Sequence, residues 1–474
     1  MNLTNWIRRG CLAAAVLLAG ACAEPPPGAD LAFEHVTVID AAGGVREDQR
    51  VVVSGEQIVS VAPMAAPAPS ADRVIDGRGR YLIPGLWDMH VHFLYDESLT
   101  EAMAELFLAH GITSVRDTGG NVEKLAALRS RLETGADPAP RIFFSGPLLD
   151  GELVVYDGGD PGRPPLGTAV VAPADADPTV AELVSAGADF IKIYELVTPD
   201  VFEALVAAAR KHGLPIAAHV PLTMTADQAG PRVDSMEHLR NVELACAGNW
   251  QALLDARRQR IAEFDGDRGY PLRSQIHSNQ RLPAIAAYDE TRCDSVLGTL
   301  GQTTQVPTLR LNAFDLARPY ERPDWSQALS RLPSAVAQRW AGEVEAHRAQ
   351  AAQADTTFAE WSLFLTGRMH EADVPLGAGT DTPITLAIPG YSLHTELALL
   401  VQSGLTPMQA LEAATLAPAR FFGLQGEMGR IAAGQAADLV LLDADPLADI
   451  DNTRRIHGVL TRGRWLPAAA PAAD

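Results

Sequence analysis

The chain reads as an α/β protein: a (β/α)₈ TIM barrel with a small β-sandwich built from both chain ends. Three observations predict this. Five apolar runs each carry a nitrogen or oxygen donor at or near their C-terminal end: YLIPGLWDMHVHF (81–93), ADFIKIY (188–194), LPIAAHV (214–220), VDSMEHL (233–239) and VPLGAGTD (374–381). Strand-like and helix-like segments alternate between about 85 and 424. Two blocks of short Val/Ile-rich strands flank that region. Donors arriving from separate strand ends converge on one mouth, the geometry of a site at the top of a parallel barrel.

The flanking blocks come first. HVTVID (35–40), QRVVVSG (49–55), QIVSVAP (57–63) and RVIDGRGRYLIPG (73–85) alternate apolar and polar residues and are broken by Gly and Pro. The same texture returns in GRIAAGQAADLVLLDADP (429–446) and IHGVLTRGRWL (456–466). The sandwich is therefore assigned to 32–84 and 425–466, and the barrel to 85–424.

Eight barrel strands are expected: 85–93, 112–118, 141–146, 190–194, 215–220, 235–238, 305–309 and 375–381. Several are continuous apolar runs, as strands buried on both faces require. Helices are expected over 99–110, 122–132, 179–187 and 199–213, with Pro199 opening the last and Gly213 closing it. From His238 to Asp381 there is too much chain for two βα units. The excess, near 240–300 and 322–372, reads as insertions beside the mouth. Cys246 and Cys293 lie in the first of these, and a disulfide is slightly favoured over two buried thiols.

The bulk properties narrow the partners. The 474 residues carry 38 basic and 59 acidic side chains, a formal net charge of -21. Such a surface argues against nucleic acid and anionic membrane. Arg8 and Arg9 precede CLAAAVLLAGA (11–21), which is too short to span a bilayer and has the length of a signal-peptide core. Ala19-Gly20-Ala21 offers ordinary cleavage. LAGAC resembles a bacterial lipobox with Cys22 as the lipidated residue, departing from it at Ala19, where Leu is usual. Residues 1–21 are thus expected to be a signal peptide and 22–31 a tether. The expected location is the periplasmic side, lipid-anchored to the outer membrane at Cys22, with a soluble periplasmic form as the alternative.

His90 and His92, two apart on a strand, point to one face and can share a metal ion. Lys192 interrupts a core strand, where an unpaired ammonium is costly. It is paired with a core carboxylate, turns its face to solvent, or is modified by CO2 to an anionic carbamate able to bridge two ions. His219 and His238, ending successive strands, suit a second ion. Asp381 either caps a helix or touches the metal and handles the proton. Tyr194 shares the Lys192 face and either packs or donates to a developing oxyanion. Arg116 and Arg240 are read as solvated salt bridges, with a substrate carboxylate as the alternative. Imidazole and carboxylate donors suit zinc; manganese, cobalt and iron stay open.

These residues, together with GLTPMQALEAATLAPARFFGL (404–424) and GRIAAGQAADLVLLDADPL (429–447), resemble the amidohydrolase superfamily, in its imidazolonepropionase-like and prolidase-like branch. The resemblance implies that His90, His92 and Asp381 hold the more buried of two divalent ions. His219 and His238 would hold the other, with carbamylated Lys192 between them. It implies hydrolysis of a C–N amide bond by a metal-bridging hydroxide, Asp381 moving the proton. Dipeptides, N-acyl amino acids and related amides are the implied small-molecule substrates. A mononuclear cyclic amidase or deaminase of the same superfamily is the nearest rival. Such deaminases generally lack the lysine and place a Glu shortly after the strand-five histidine, whereas His219 is followed by Val220-Pro221-Leu222. A non-catalytic ligand-binding lipoprotein is the rival of another class. Substrate and oligomeric state are not set by the sequence.

Overall fold

The computed structural model describes residues 29–67 and 69–468. The expected signal peptide, Cys22 and the first seven residues of the expected tether lie outside the described residues. No helix among the described residues is long and apolar enough to cross a membrane.

Both chain ends enter one eight-stranded sheet. Its N-terminal members are β1 (Ala29–Asp40), β2 (Gly44–Ser54), β3 (Gln57–Pro63), β4 (Ala71–Asp76) and β5 (Tyr81–Pro84). The tether's expected last residues, 29–31, are thus the start of β1. The parallel strands of the α/β region are β6 (Leu86–Val91), β7 (Ile112–Asp117), β8 (Arg141–Phe144), β9 (Leu148–Asp150), β10 (Gly167–Ala169), β11 (Ile191–Ile193), β12 (Ile216–Ala218), β13 (Ser235–Glu237) and β14 (Thr304–Val306). β15 (Leu439–Leu442), β16 (Ile456–Thr461) and β17 (Arg464–Pro467) complete the first sheet.

That sheet runs β17-β16-β15-β5-β1-β2-β3, with β4 beside β1. The seam between the chain ends is the antiparallel β5–β15 pair, Ile83 opposite Val440. Alternation along these strands explains the docking. Leu82, Leu439 and Leu441 enter the core of the sheet domain with Phe33, Val38 and Val53. Their neighbours Ile83, Val440 and Leu442 enter the main core with Leu86, Phe107 and Ile112. One strand thus binds both units.

The α/β region contains two parallel runs, β6-β7-β8 and β10-β9-β11-β12-β13-β14. β9 and β10 were not expected: three-residue strands carry too little periodicity to be seen in sequence. The expected strand 375–381 forms bridges rather than a regular strand, Gln305 with Leu376 and Val91 with Thr382. It is tied on both sides: Met89 N of β6 donates to Ala378 O at 2.9 Å, and Gly377 N donates to Gln305 O of β14 at 2.9 Å. Glycine permits this approach. A Cβ on Gly377 would lie 2.4 Å from Met89 Sδ, and one on Gly379 2.9 Å from His90 Cβ.

The helices Thr100–Ala109, Val122–Thr134, Pro173–Ser185 and Pro199–His212 separate the strands. The third begins six residues before its expected start, because Pro173 sits at a helix N-terminus and Pro178 is accommodated inside. Pro199 opens the fourth, and Gly213, at φ 72°, ends it. Between β13 and β14 lie helices Trp250–Ala262, Gly269–Ala286 and Glu290–Leu297; after β14 come Trp325–Ser330, Ser334–Gln350 and Thr357–Glu371. A Cys246–Cys293 disulfide brackets the first excursion, with both sulfurs in the core.

Candidate functional site

His90 lies near the end of β6 and His92 just beyond it. Lys192 is the middle residue of β11, His219 follows β12, His238 follows β13, and Asp381 closes the Gly-rich segment. All six line one cavity of ≈ 210 Å³, together with Tyr194. Ring centroids are 4.4 Å apart for His90 and His238, 4.9 Å for His219 and His238, and 5.3 Å for His90 and His92. Asp381 Oδ1 lies 3.3 Å from His90 Nε2 and 3.2 Å from His92 Nε2. Ligand-type atoms of His90, His238 and Asp381 all fall within 4.8 Å of one another. This trio cuts across the two ligand sets that the resemblance implies. His238 and Asp381 hold left-handed backbone, φ 61° and 60°. For non-glycine residues such strain gathers where side chains are aimed at a site.

Hydrogen bonds behind the histidines set their tautomers. Glu237 Oε2 lies 2.7 Å from His90 Nδ1, and Glu195 Oε1 2.7 Å from His219 Nδ1. Burial raises both carboxyls. Arg116 and Lys192 outweigh it at Glu237, and Arg273 and His277 at Glu195, so both are held well below the usual range. An ionised carboxylate only accepts, so each Nδ1 donates. Thr308 Oγ1 donates to Pro307 O and therefore accepts from His238 Nδ1 at 2.7 Å. The three Nε2 lone pairs are left free for a ligand. Burial also pulls His90 down to about 4 and His219 and His238 well below the usual histidine value. The three rings are neutral at pH 7, as metal ligands must be.

Lys192 Nζ is wholly buried and has no hydrogen-bond partner among the described residues. It forms no ion pair with a core carboxylate, one alternative left open by the sequence. Burial pulls the amine down to about 8, with Glu237 opposing the shift.

Arg116 corrects the reading as a solvated salt bridge. It is fully buried, donating to Glu237 Oε1 at 2.8 Å, Ser235 Oγ at 2.9 Å and Met89 O at 2.6 Å. A core cation needed an acid, and Glu237 supplies it while holding His90. Arg240 also departs from that reading, but in another way: it forms no ion pair among the described residues and lines the cavity. Tyr194 is buried against His219, ring centroids 4.4 Å apart.

Sequence reasoning missed Glu237, Glu195, Arg273 and His277. Glu195 accepts from Arg273 Nε at 2.9 Å, and its second oxygen lies 2.6 Å from His277 Nε2. The only sequence signal was a carboxylate beside a ligand candidate, in MEH and KIYE. Arg273 and His277 come from the excursion helix Gly269–Ala286 and carried no signal.

The fold and site define a class: an α/β scaffold with imidazole, carboxylate and lysine donors facing one cavity. The sequence pattern of the amidohydrolase family matches residues 81–249 and 365–466, and the chain belongs to that family. It is a hydrolase acting on carbon–nitrogen bonds, of a family whose members use metal ions. An imidazolonepropionase of Rubrobacter xylanophilus is 27% identical over 425 residues, covering 83% of this chain and 84% of that protein. A Xaa-Pro dipeptidase crystallised with methionine in its active site shares the fold at TM-score 0.65 and 20% identity, covering 92% of this chain and 99% of that one. A bottromycin amidohydrolase shares it at TM-score 0.64 and 24% identity, covering 92% and 87%.

Proposed function

We propose that the protein is a binuclear metal-dependent amidohydrolase that cleaves a dipeptide, an N-acyl amino acid or a related amide. One observation carries the reading: a wholly buried lysine amine without a partner, facing the same cavity as three neutral histidines and an ionised aspartate. An unpaired ammonium there is costly. Carbamylation by CO2 converts it to an anion with two ligand oxygens, and an amine near 8 supplies the neutral nucleophile this needs. The donor set suits divalent ions, zinc first. His90, His92 and Asp381 would hold one, His219 and His238 the other, with the Lys192 carbamate shared. When bound, such ions make water acidic enough to ionise near neutral pH and polarise a carbonyl.

The chain's own residues do the rest. A carboxylate oxygen of Asp381 takes the proton of the attacking water and passes it to the leaving nitrogen. Tyr194 Oη donates to the oxygen that becomes negative. Glu237, Glu195 and Thr308 keep the imidazoles in register. The parallel runs and the segment bridging β14 to β6 support reading this region as one (β/α)₈ barrel, with the sheet of both chain ends as the small sandwich beside it. Export with a lipid on Cys22 completes the proposal; Cys22→Ala should release the protein from the membrane fraction into the soluble periplasm.

The test is metal content and the mass of Lys192 in the purified protein. Two ions per chain and a carbamate on Lys192 are expected. Lys192→Ala should lose one ion and at least about a hundredfold in kcat/KM. The His90–His238–Asp381 trio favours a second reading, a mononuclear enzyme. One ion with unmodified Lys192 would establish it in place of the first.

A further inference from the structure

We infer that Arg240 and Arg281 form a carboxylate-binding subsite outboard of the scissile bond, so that the substrate is an acidic amide. Arg240 follows the ligand candidate His238 by two residues and lines the site cavity. It also lines a second cavity of ≈ 390 Å³, which shares Arg240 and Arg273 with the first. Arg281, on the excursion helix Gly269–Ala286, faces that second cavity.

The donors there are not all used. Nε of Arg240 and Nε of Arg281 are both buried without a hydrogen-bond partner among the described residues. Arg281 makes only a long ion pair, its Nε 3.9 Å from Glu243 Oε1 and beyond hydrogen-bond reach. Arg273 is committed to Glu195. Asp355, the acidic residue of the lining, is exposed and accepts from Thr357 N. Arg281 stacks on Phe358, 4.1 Å from the ring centroid, which fixes its plane. Arg240, without an ion pair among the described residues, and Arg281, held only by a long contact to Glu243, face one cavity of an enzyme with net charge -21 and mark a place kept for an incoming anion. Planar forks of this kind match a carboxylate, and the amide-hydrolase reading supplies one on the amine half of a peptide or acyl amino acid. The inference rests on that reading only for the source of the carboxylate.

Binding of leaving-group analogues tests it without turnover. L-Phenylalanine and phenethylamine differ by the carboxylate alone, and calorimetry on the metal-loaded protein compares them. L-Phenylalanine should bind at least about tenfold more tightly. Arg240→Gln and Arg281→Gln should each erase most of that preference, with metal content and melting temperature unchanged. Equal binding of the two ligands by the unaltered protein overturns the subsite, whatever the variants do. So does a preference that survives both substitutions. Inorganic phosphate is the third ligand: tight phosphate binding without L-phenylalanine binding would overturn the carboxylate assignment. If the carboxylate preference holds and no acyl amino acid or dipeptide is cleaved, the subsite stands and the hydrolysis reading fails.

Discussion

Glu237 joins a buried cation to a neutral imidazole of the site, and it shows what one residue contributes. Its two oxygens serve His90 and Arg116 separately. Glu237→Gln keeps the volume and removes the charge. Metal affinity should fall about 10–100-fold, because the His90 ring loses its anionic partner. Chelator competition measures this, and unchanged affinity would refute the positioning role. The metal-ligand candidates were legible because a donor ending an apolar strand conflicts with its surroundings. Glu237 and Arg116 were not, because a buried ion pair joins residues 121 positions apart and leaves no local pattern.

The excursion between β13 and β14 is the element on which the site leans. It delivers Arg273 and His277 to Glu195, and through Glu195 it orients His219. The Cys246–Cys293 bridge closes it across a sequence separation of 47. A loop of that length restricts the unfolded chain, and losing the bridge costs about 2–4 kcal/mol. Urea unfolding of the Cys246→Ser/Cys293→Ser double variant should show a loss of that order. Hydrogen exchange should quicken first over 269–286. Exchange that stays unchanged there would mean that packing, not the bridge, holds the excursion. The chain here was legible as an insertion with helix-like stretches. What they touch was not, because Arg273 and His277 occur on a helix whose sequence suits any solvated surface.

Across the whole molecule, buried carboxyls make stability depend on pH. Glu396 accepts from Leu309 N at 2.9 Å and Arg310 N at 2.7 Å, yet burial raises it to about 8. Arg310 in turn holds the carbonyls of Thr380, Ile384 and Thr385 around Asp381. The folded value lies above the unfolded value of about 4.3, so folding favours the protonated acid. Its stabilising contribution is complete below the unfolded value and is lost as pH rises through about 8. Melting temperatures from pH 5 to 9 should fall more steeply for the native protein than for Glu396→Gln. Parallel profiles would show that Glu396 is not the group responsible.

The α/β class, the joining of both chain ends and the six donors that meet in one cavity could be read from the residues alone. Apolar periodicity and donors at strand ends are local properties, and they survive without knowledge of any partner. Only the tertiary structure decided which acids steer His90 and His219, that Arg116 is a core cation, that Lys192 lacks a partner, and that Arg240 faces a cavity. Each of those depends on what a side chain meets across the fold. Burial then turns the meeting into chemistry by raising the cost of every unpaired charge.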